Sequence, residues 1–91
     1  MIATPSQIKA ARALLGWSTD DLAERLGLAR NSVTRLENEK LGTNFAGLAK
    51  ATQILEGAGI IFLARDAIAG DGVRLAGPRA PYEETEADRG T

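Results

Sequence analysis

The chain has 91 residues, enough for one small domain with an extension, and at this size folding buries only about 60–65% of the surface that the unfolded chain exposes. It holds no cysteine and no histidine, which excludes disulfides, thiolate metal sites and the commonest proton shuttle at neutral pH. Eleven Lys and Arg against twelve Asp and Glu give a net charge of −1.

That near balance hides an asymmetry. Residues 1–50 carry seven basic and five acidic side chains, residues 51–78 two and three, and residues 79–91 two and four. The first half is therefore at +2 and the last thirteen residues at −2, so the whole-chain charge does not veto a nucleic-acid partner. No apolar run approaches the ~20 residues of a membrane span. Met1-Ile2-Ala3-Thr4-Pro5 has neither the basic start nor the apolar run of a secretory signal. The expected location is a reducing cytoplasm, without membrane attachment.

Pro5 suits a first helical turn, where its missing N–H has no intrahelical partner, with Thr4 or Ser6 as cap. Ile8, Ala11 and Leu15 follow at helical spacing, with Leu14 widening the stripe, and Gly16 stops the helix. Ser18-Thr19-Asp20-Asp21 reads as a capping box opening a second helix, with aspartates where the helix dipole favours them. Leu22, Ala23 and Leu26 form its apolar stripe, and Gly27 closes it. After Leu28 and Ala29 a third helix runs to about Glu39, with Val33 and Leu36 as its apolar pair.

Residues 38–43 read as a loop. Asn44 caps a fourth helix with Phe45, Leu48, Ala51 and Leu55 on one side, ended by Gly57 and Gly59. Residues 60–65 are rich in β-branched and aromatic side chains, Gly70-Asp71-Gly72 is a turn signal, and Val73-Arg74-Leu75 alternates. These predict a hairpin; a fifth helix through residues 60–69 is the competing reading, permitted by Ala64, Ala67 and Ala69. A lone hairpin is marginal in water, and a first strand apolar on both faces needs a further partner. A second copy of the chain supplies one most simply. The expected dimer contacts are Ile60, Ile61, Phe62, Leu63, Val73 and Leu75.

The organisation predicted is thus a helical domain over residues 1–58, a hairpin over residues 59–77 and an acidic tail over residues 78–91. Pro78, Pro81 and the run Glu83-Glu84-Thr85-Glu86-Ala87-Asp88 leave the tail little to pack.

The unit from Thr19 to Asn38 carries the functional signal. Two short helices joined by a tight glycine turn describe a helix-turn-helix, whose second helix enters the DNA major groove. Ala23 is small where the helices cross, Gly27 supplies the turn, and Leu22, Leu28, Val33 and Leu36 are expected to bury the corner. The other positions of the third helix, Arg30, Asn31, Ser32, Thr34 and Arg35, are all polar.

The segment from Ile8 to Ala23, IKAARALLGWSTDDLA, followed by Gly27 to Asn38, GLARNSVTRLEN, resembles the Cro/CI-type helix-turn-helix family, also called XRE or lambda-repressor-like. The resemblance covers roughly residues 6–56. It implies a mainly α fold of four or five helices and a sequence-specific DNA-binding, usually repressing, function; the C-terminal strands resemble those of small members whose dimers share a sheet. Carried over by position, it implies base reading by Arg30, Asn31 and Arg35 with Thr34 beside them, a phosphate contact at Thr19, and a salt bridge between Arg12 and Glu37. Two positions depart from the pattern. Ala29 stands where a Ser or Thr usually caps the recognition helix, and Thr19 is shorter than the usual glutamine.

Arginine suits the O6/N7 edge of guanine and asparagine the edge of adenine; the alternative for this face is ordinary solvation. Ser18, Ser32, Lys40, Thr43 and Asn44 join Thr19 as phosphate candidates, since helix-start N–H groups and a lysine attract phosphate. Ser18 and Asn44 double as caps. Lys9 and Lys50 read as solvated charges, and Trp17 as a plug between the first two helices rather than a stacking platform.

No carboxylate pair faces another, Asp71-Gly72 lacks the remaining ligands of a calcium loop, and the glycines follow no phosphate-binding fingerprint. The expectation is a regulator rather than an enzyme, with no cofactor and no metal, and with double-stranded DNA and a second copy as partners. A toxin that grips the acidic tail is the competing partner, with DNA binding then serving autoregulation.

Overall fold

The structure, a computed structural model, describes residues 1–38 and 44–77. The elements are α1 (Pro5–Leu14), α2 (Thr19–Leu26), α3 (Arg30–Asn38), α4 (Phe45–Gly57), β1 (Ile60–Leu63) and β2 (Gly72–Leu75). Asn38 of the expected loop over residues 38–43 is the last residue of α3, while the rest of that loop with Lys40 and Thr43, and the expected tail at residues 78–91, lie outside the described residues.

Local chemistry sets most helix ends. The Thr4 hydroxyl accepts from the Gln7 N–H at 3.1 Å, and the Gln7 amide oxygen accepts from the Thr4 N–H at 2.9 Å. This reciprocal box starts α1 with Pro5 in its first turn. Ser18 and Asp21 repeat the device for α2. Gly27 ends α2 at φ 72°, ψ 30°, while the Leu28 N–H reaches back to the Ala23 carbonyl at 2.9 Å. That closure needs a left-handed residue, which glycine adopts without steric cost.

α3 starts less well. The N–H groups of Ser32 and Val33 both turn to the Ala29 carbonyl, so Ala29 holds the cap position without a side-chain acceptor, and no acidic residue lies in the first turn. Ala29 is exposed. Ala29→Ser is therefore expected to stabilise the domain by about 1 kcal/mol, raising Tm by ~4–8 °C; an unchanged melting curve by circular dichroism would contradict the missing cap.

One core joins the elements. Ile8 and Ala11 of α1, Leu22, Ala23 and Leu26 of α2, Val33 and Leu36 of α3, and Leu48, Ala51 and Leu55 of α4 meet there. Ile60 and Phe62 of β1 belong to the same cluster. Two expected core residues do not. Leu28 is 44% exposed and Phe45 57% exposed: the left-handed turn at Gly27 carries Leu28 outward, and Phe45 stands at the very first position of α4, at the edge of the core. Thr52 is buried instead, donating to the Leu48 carbonyl at 2.7 Å and accepting from the Ala3 N–H at 3.0 Å.

Residues 60–63 form a strand, not a fifth helix. β1 and β2 are antiparallel in the register Ile60↔Leu75, Ile61↔Arg74, Phe62↔Val73 and Leu63↔Gly72. The chain reverses earlier than the Gly70-Asp71-Gly72 signal. The Asp66 carboxylate accepts from the N–H groups of Ile68 and Ala69, each at 2.8 Å, and the Asp66 N–H donates to the Ala69 carbonyl at 2.8 Å.

Cross-strand partners share a face, so Ile60, Phe62, Val73 and Leu75 lie on one side, packed in or against the helical core. This narrows the expected dimer contacts. The side chains of Ile60 and Phe62 are buried in their own chain, and Ile61 and Leu63 occupy the opposite face beside Arg74.

Candidate nucleic-acid interface

α3 has two unlike sides. Val33, Leu36 and Glu37 are buried, whereas Arg30, Asn31, Thr34 and Arg35 are exposed. Positions 30, 31, 34 and 35 fall on one strip of a 3.6-residue helix, so four polar side chains with donor or acceptor ends share a single outward face. Ser32 lies at the border, half-buried.

The inward side is held by apolar packing and by one ion pair. Arg12 of α1 reaches Glu37 through Nε–Oε2 at 2.7 Å and Nη2–Oε1 at 3.1 Å, and its Nη1 donates to the Trp17 carbonyl at 3.0 Å. The two side chains are only 15% and 5% exposed. A guanidinium with all three nitrogens engaged thus joins α1, the turn before α2, and the far end of α3.

A second ion pair lies at the opposite end of α3. Arg30 Nε donates to Asp20 Oδ1 at 2.8 Å, and Nη2 donates to Oδ2 at 2.7 Å. Both partners are well exposed. The hydrogen bonds from Arg30 hold the Asp20 carboxyl below its ordinary range, as the bonds from Ser18 do for Asp21. Arg30 therefore meets solvent already oriented by α2.

The phosphate candidates divide. Ser18 Oγ caps α2 by accepting from Asp21 N–H at 3.0 Å, and Asn44 Oδ1 caps α4 by accepting from Gly47 N–H at 3.0 Å. Thr19, half-buried, begins α2. Lys50, expected as a solvated charge, donates to the Leu26 carbonyl at 2.9 Å and so closes the C-terminal end of α2. Trp17 packs against the core, with the Arg25 guanidinium 3.9 Å from its ring centroid; that cation covers one face of the indole.

Sequence reasoning missed four of these contributors. Gln7 was legible as the fourth residue of a Thr-x-x-Gln capping box. The burial of Thr52, the reach of Lys50 and the pairing of Asp20 with Arg30 had no local signal, because each depends on a segment distant in sequence.

A family model described as helix-turn-helix matches residues 8–54, more than half of the chain. The chain belongs to the XRE-type helix-turn-helix family. No curated protein and no solved structure gave a match. The matched span runs from α1 through most of α4 and contains every described residue of the outward strip on α3. Membership makes the protein a DNA-binding transcription regulator in general terms. Among the described residues, no helix is long and apolar enough to cross a membrane.

Proposed function

We propose that this helix-turn-helix regulator is a sequence-specific repressor that binds a palindromic operator as a homodimer, with α3 of each subunit in successive major grooves. One observation carries the reading: a strip of Arg30, Asn31, Thr34 and Arg35 faces outward on a helix whose other side is locked into the core. Arg30, Asn31 and Arg35 read base edges with Thr34 beside them. Ser18, Thr19, Ser32, Lys40, Thr43 and Asn44 hold phosphates. The reading region spans residues 1–58, and the hairpin over residues 59–77 joins two copies through Ile61, Leu63 and its strand edges. Apolar side chains on the solvent face of a two-stranded sheet favour that assignment.

Selection of bound fragments from random duplex DNA tests the proposal. The expected product is a two-fold symmetric sequence with half-site centres ~34 Å apart. Arg35→Ala should then erase preference at one position per half-site, costing about 1–3 kcal/mol on the selected duplex and little on random DNA. Lys40→Ala should weaken both alike and lower the salt slope by about one. Equal losses on both duplexes for both variants would contradict the division of roles.

A second reading, an antitoxin that autoregulates its own operon, is favoured by the four acidic side chains among residues 79–91; they suit a basic protein partner. Co-purification of such a partner from native lysate separates the two readings.

A further inference from the structure

The first residue of α3 is a cation at the positive end of a helix dipole, on a helix with neither a side-chain cap nor an acidic first turn. Left alone, Arg30 would be poorly placed and free to sample many rotamers. It is instead gripped by Asp20, ten residues earlier, from the first turn of α2. The α2 dipole in turn favours a carboxylate at that place.

Which edge of the guanidinium is gripped matters. The carboxylate takes Nε and Nη2, the side edge of the fork. A guanidinium has five N–H groups in a rigid plane, and the end edge, formed by Nη1 and the second proton of Nη2, points away from the carboxylate. Two parallel N–H groups on that end edge match the O6 and N7 acceptors of guanine. A side-on carboxylate and an end-on base can therefore share one arginine in one plane.

We propose that Asp20 is a positioning residue for sequence readout: it holds Arg30 side-on so that the end edge of the guanidinium is presented, pre-oriented, to a guanine in the major groove. The inference rests on the reading of α3 as the base-reading helix. Asp20 does not act by adding affinity. It is an anion on the face that meets phosphates, so its charge opposes DNA binding in general. What it supplies is selectivity, by restricting Arg30 to one direction before the base arrives. A contribution of this kind has a signature that neither a surface ion pair nor a fold-stabilising contact shares.

The test uses the full chain, the duplex selected from a random library, and duplexes carrying each of the four base pairs at every half-site position. Arg30→Ala is expected to abolish a guanine preference at one position. Asp20→Ala should reduce the preference at that same position by about fivefold or more, leave the other positions unchanged, and bind random duplex as tightly as the parent or more tightly. Asp20→Glu should recover part of the preference. The double variant should be no less selective than Arg30→Ala alone, because the two residues act through one contact.

Four results would overturn the inference. Full guanine preference in Asp20→Ala makes the pair an ordinary surface contact. An equal loss at every position makes Asp20 structural, and melting curves of Asp20→Ala and Asp20→Asn would show that directly. A matching gain on selected and random duplexes makes Asp20 a competitor for Arg30. If Arg30→Ala itself leaves every preference intact, base reading by Arg30 fails and the inference falls with it. If Arg30→Ala erases the preference and Asp20→Ala does not, only the positioning role is lost.

Discussion

Arg12→Ala is expected to destabilise the domain by about 3–5 kcal/mol, a large part of the ~5–15 kcal/mol that holds a typical domain folded. The cost comes from the residue left behind. Glu37 is 5% exposed at its side chain, and without Arg12 its carboxylate loses its countercharge and both hydrogen-bond donors from α1. The Trp17 carbonyl also loses its donor. Removing both charges should be far milder: Arg12→Met with Glu37→Leu deletes the unpaired charge along with its partner, and buried pairs replaced by apolar residues are often neutral. Urea unfolding of the single and double variants checks this. A loss under 1 kcal/mol for Arg12→Ala would mean that the pair behaves as a solvated surface contact. Because the pair anchors α3 through its last turn, loss of DNA affinity in Arg12→Ala should track the unfolded fraction and spare base preference.

The helix ends were legible in the sequence because caps are local. Thr4 with Pro5, Ser18 with Asp21, Gly27, and Asn44 each act within three or four residues, the range over which a chain can be read without knowing its fold. The polar face of α3 was legible by the same logic, as the complement of Val33 and Leu36. Leu28 and Phe45 were misplaced because periodicity counts apolar residues without knowing where the backbone turns. The hairpin was ambiguous because each strand has only four residues, too few to separate a strand from a helical turn. Polar contacts between elements were not legible from pattern, whereas the apolar corner of Leu22, Ala23, Val33 and Leu36 was. Arg12 and Glu37 were paired through family resemblance, while Asp20 with Arg30, and Gln7 with the hairpin, required the fold.

Gln7 adds polar contacts from α1 to the apolar packing that holds the hairpin. Its Nε2 donates to the carbonyls of Leu63 at 3.0 Å and Gly72 at 2.9 Å, the cross-strand pair nearest the chain reversal, while its Oε1 completes the α1 cap. The residue is 3% exposed, so its loss strands carbonyls that water reaches poorly. Gln7→Leu keeps the bulk and removes every bond, with an expected cost of about 2–4 kcal/mol. Gln7→Glu should be worse, although it preserves the cap: an ionised carboxylate would point an acceptor at two further acceptors in a buried place. The damage should also be local. Amide exchange in β1 and β2 should accelerate well before exchange in α2 and α3, because the side chain of Gln7 bonds to the hairpin and to the α1 cap and not to α2 or α3. Uniform acceleration across all elements would mean instead that the hairpin and the helices unfold as one unit. If the outer face of the hairpin joins two copies, Gln7→Leu should weaken self-association more than it weakens contact of α3 with a single half-site.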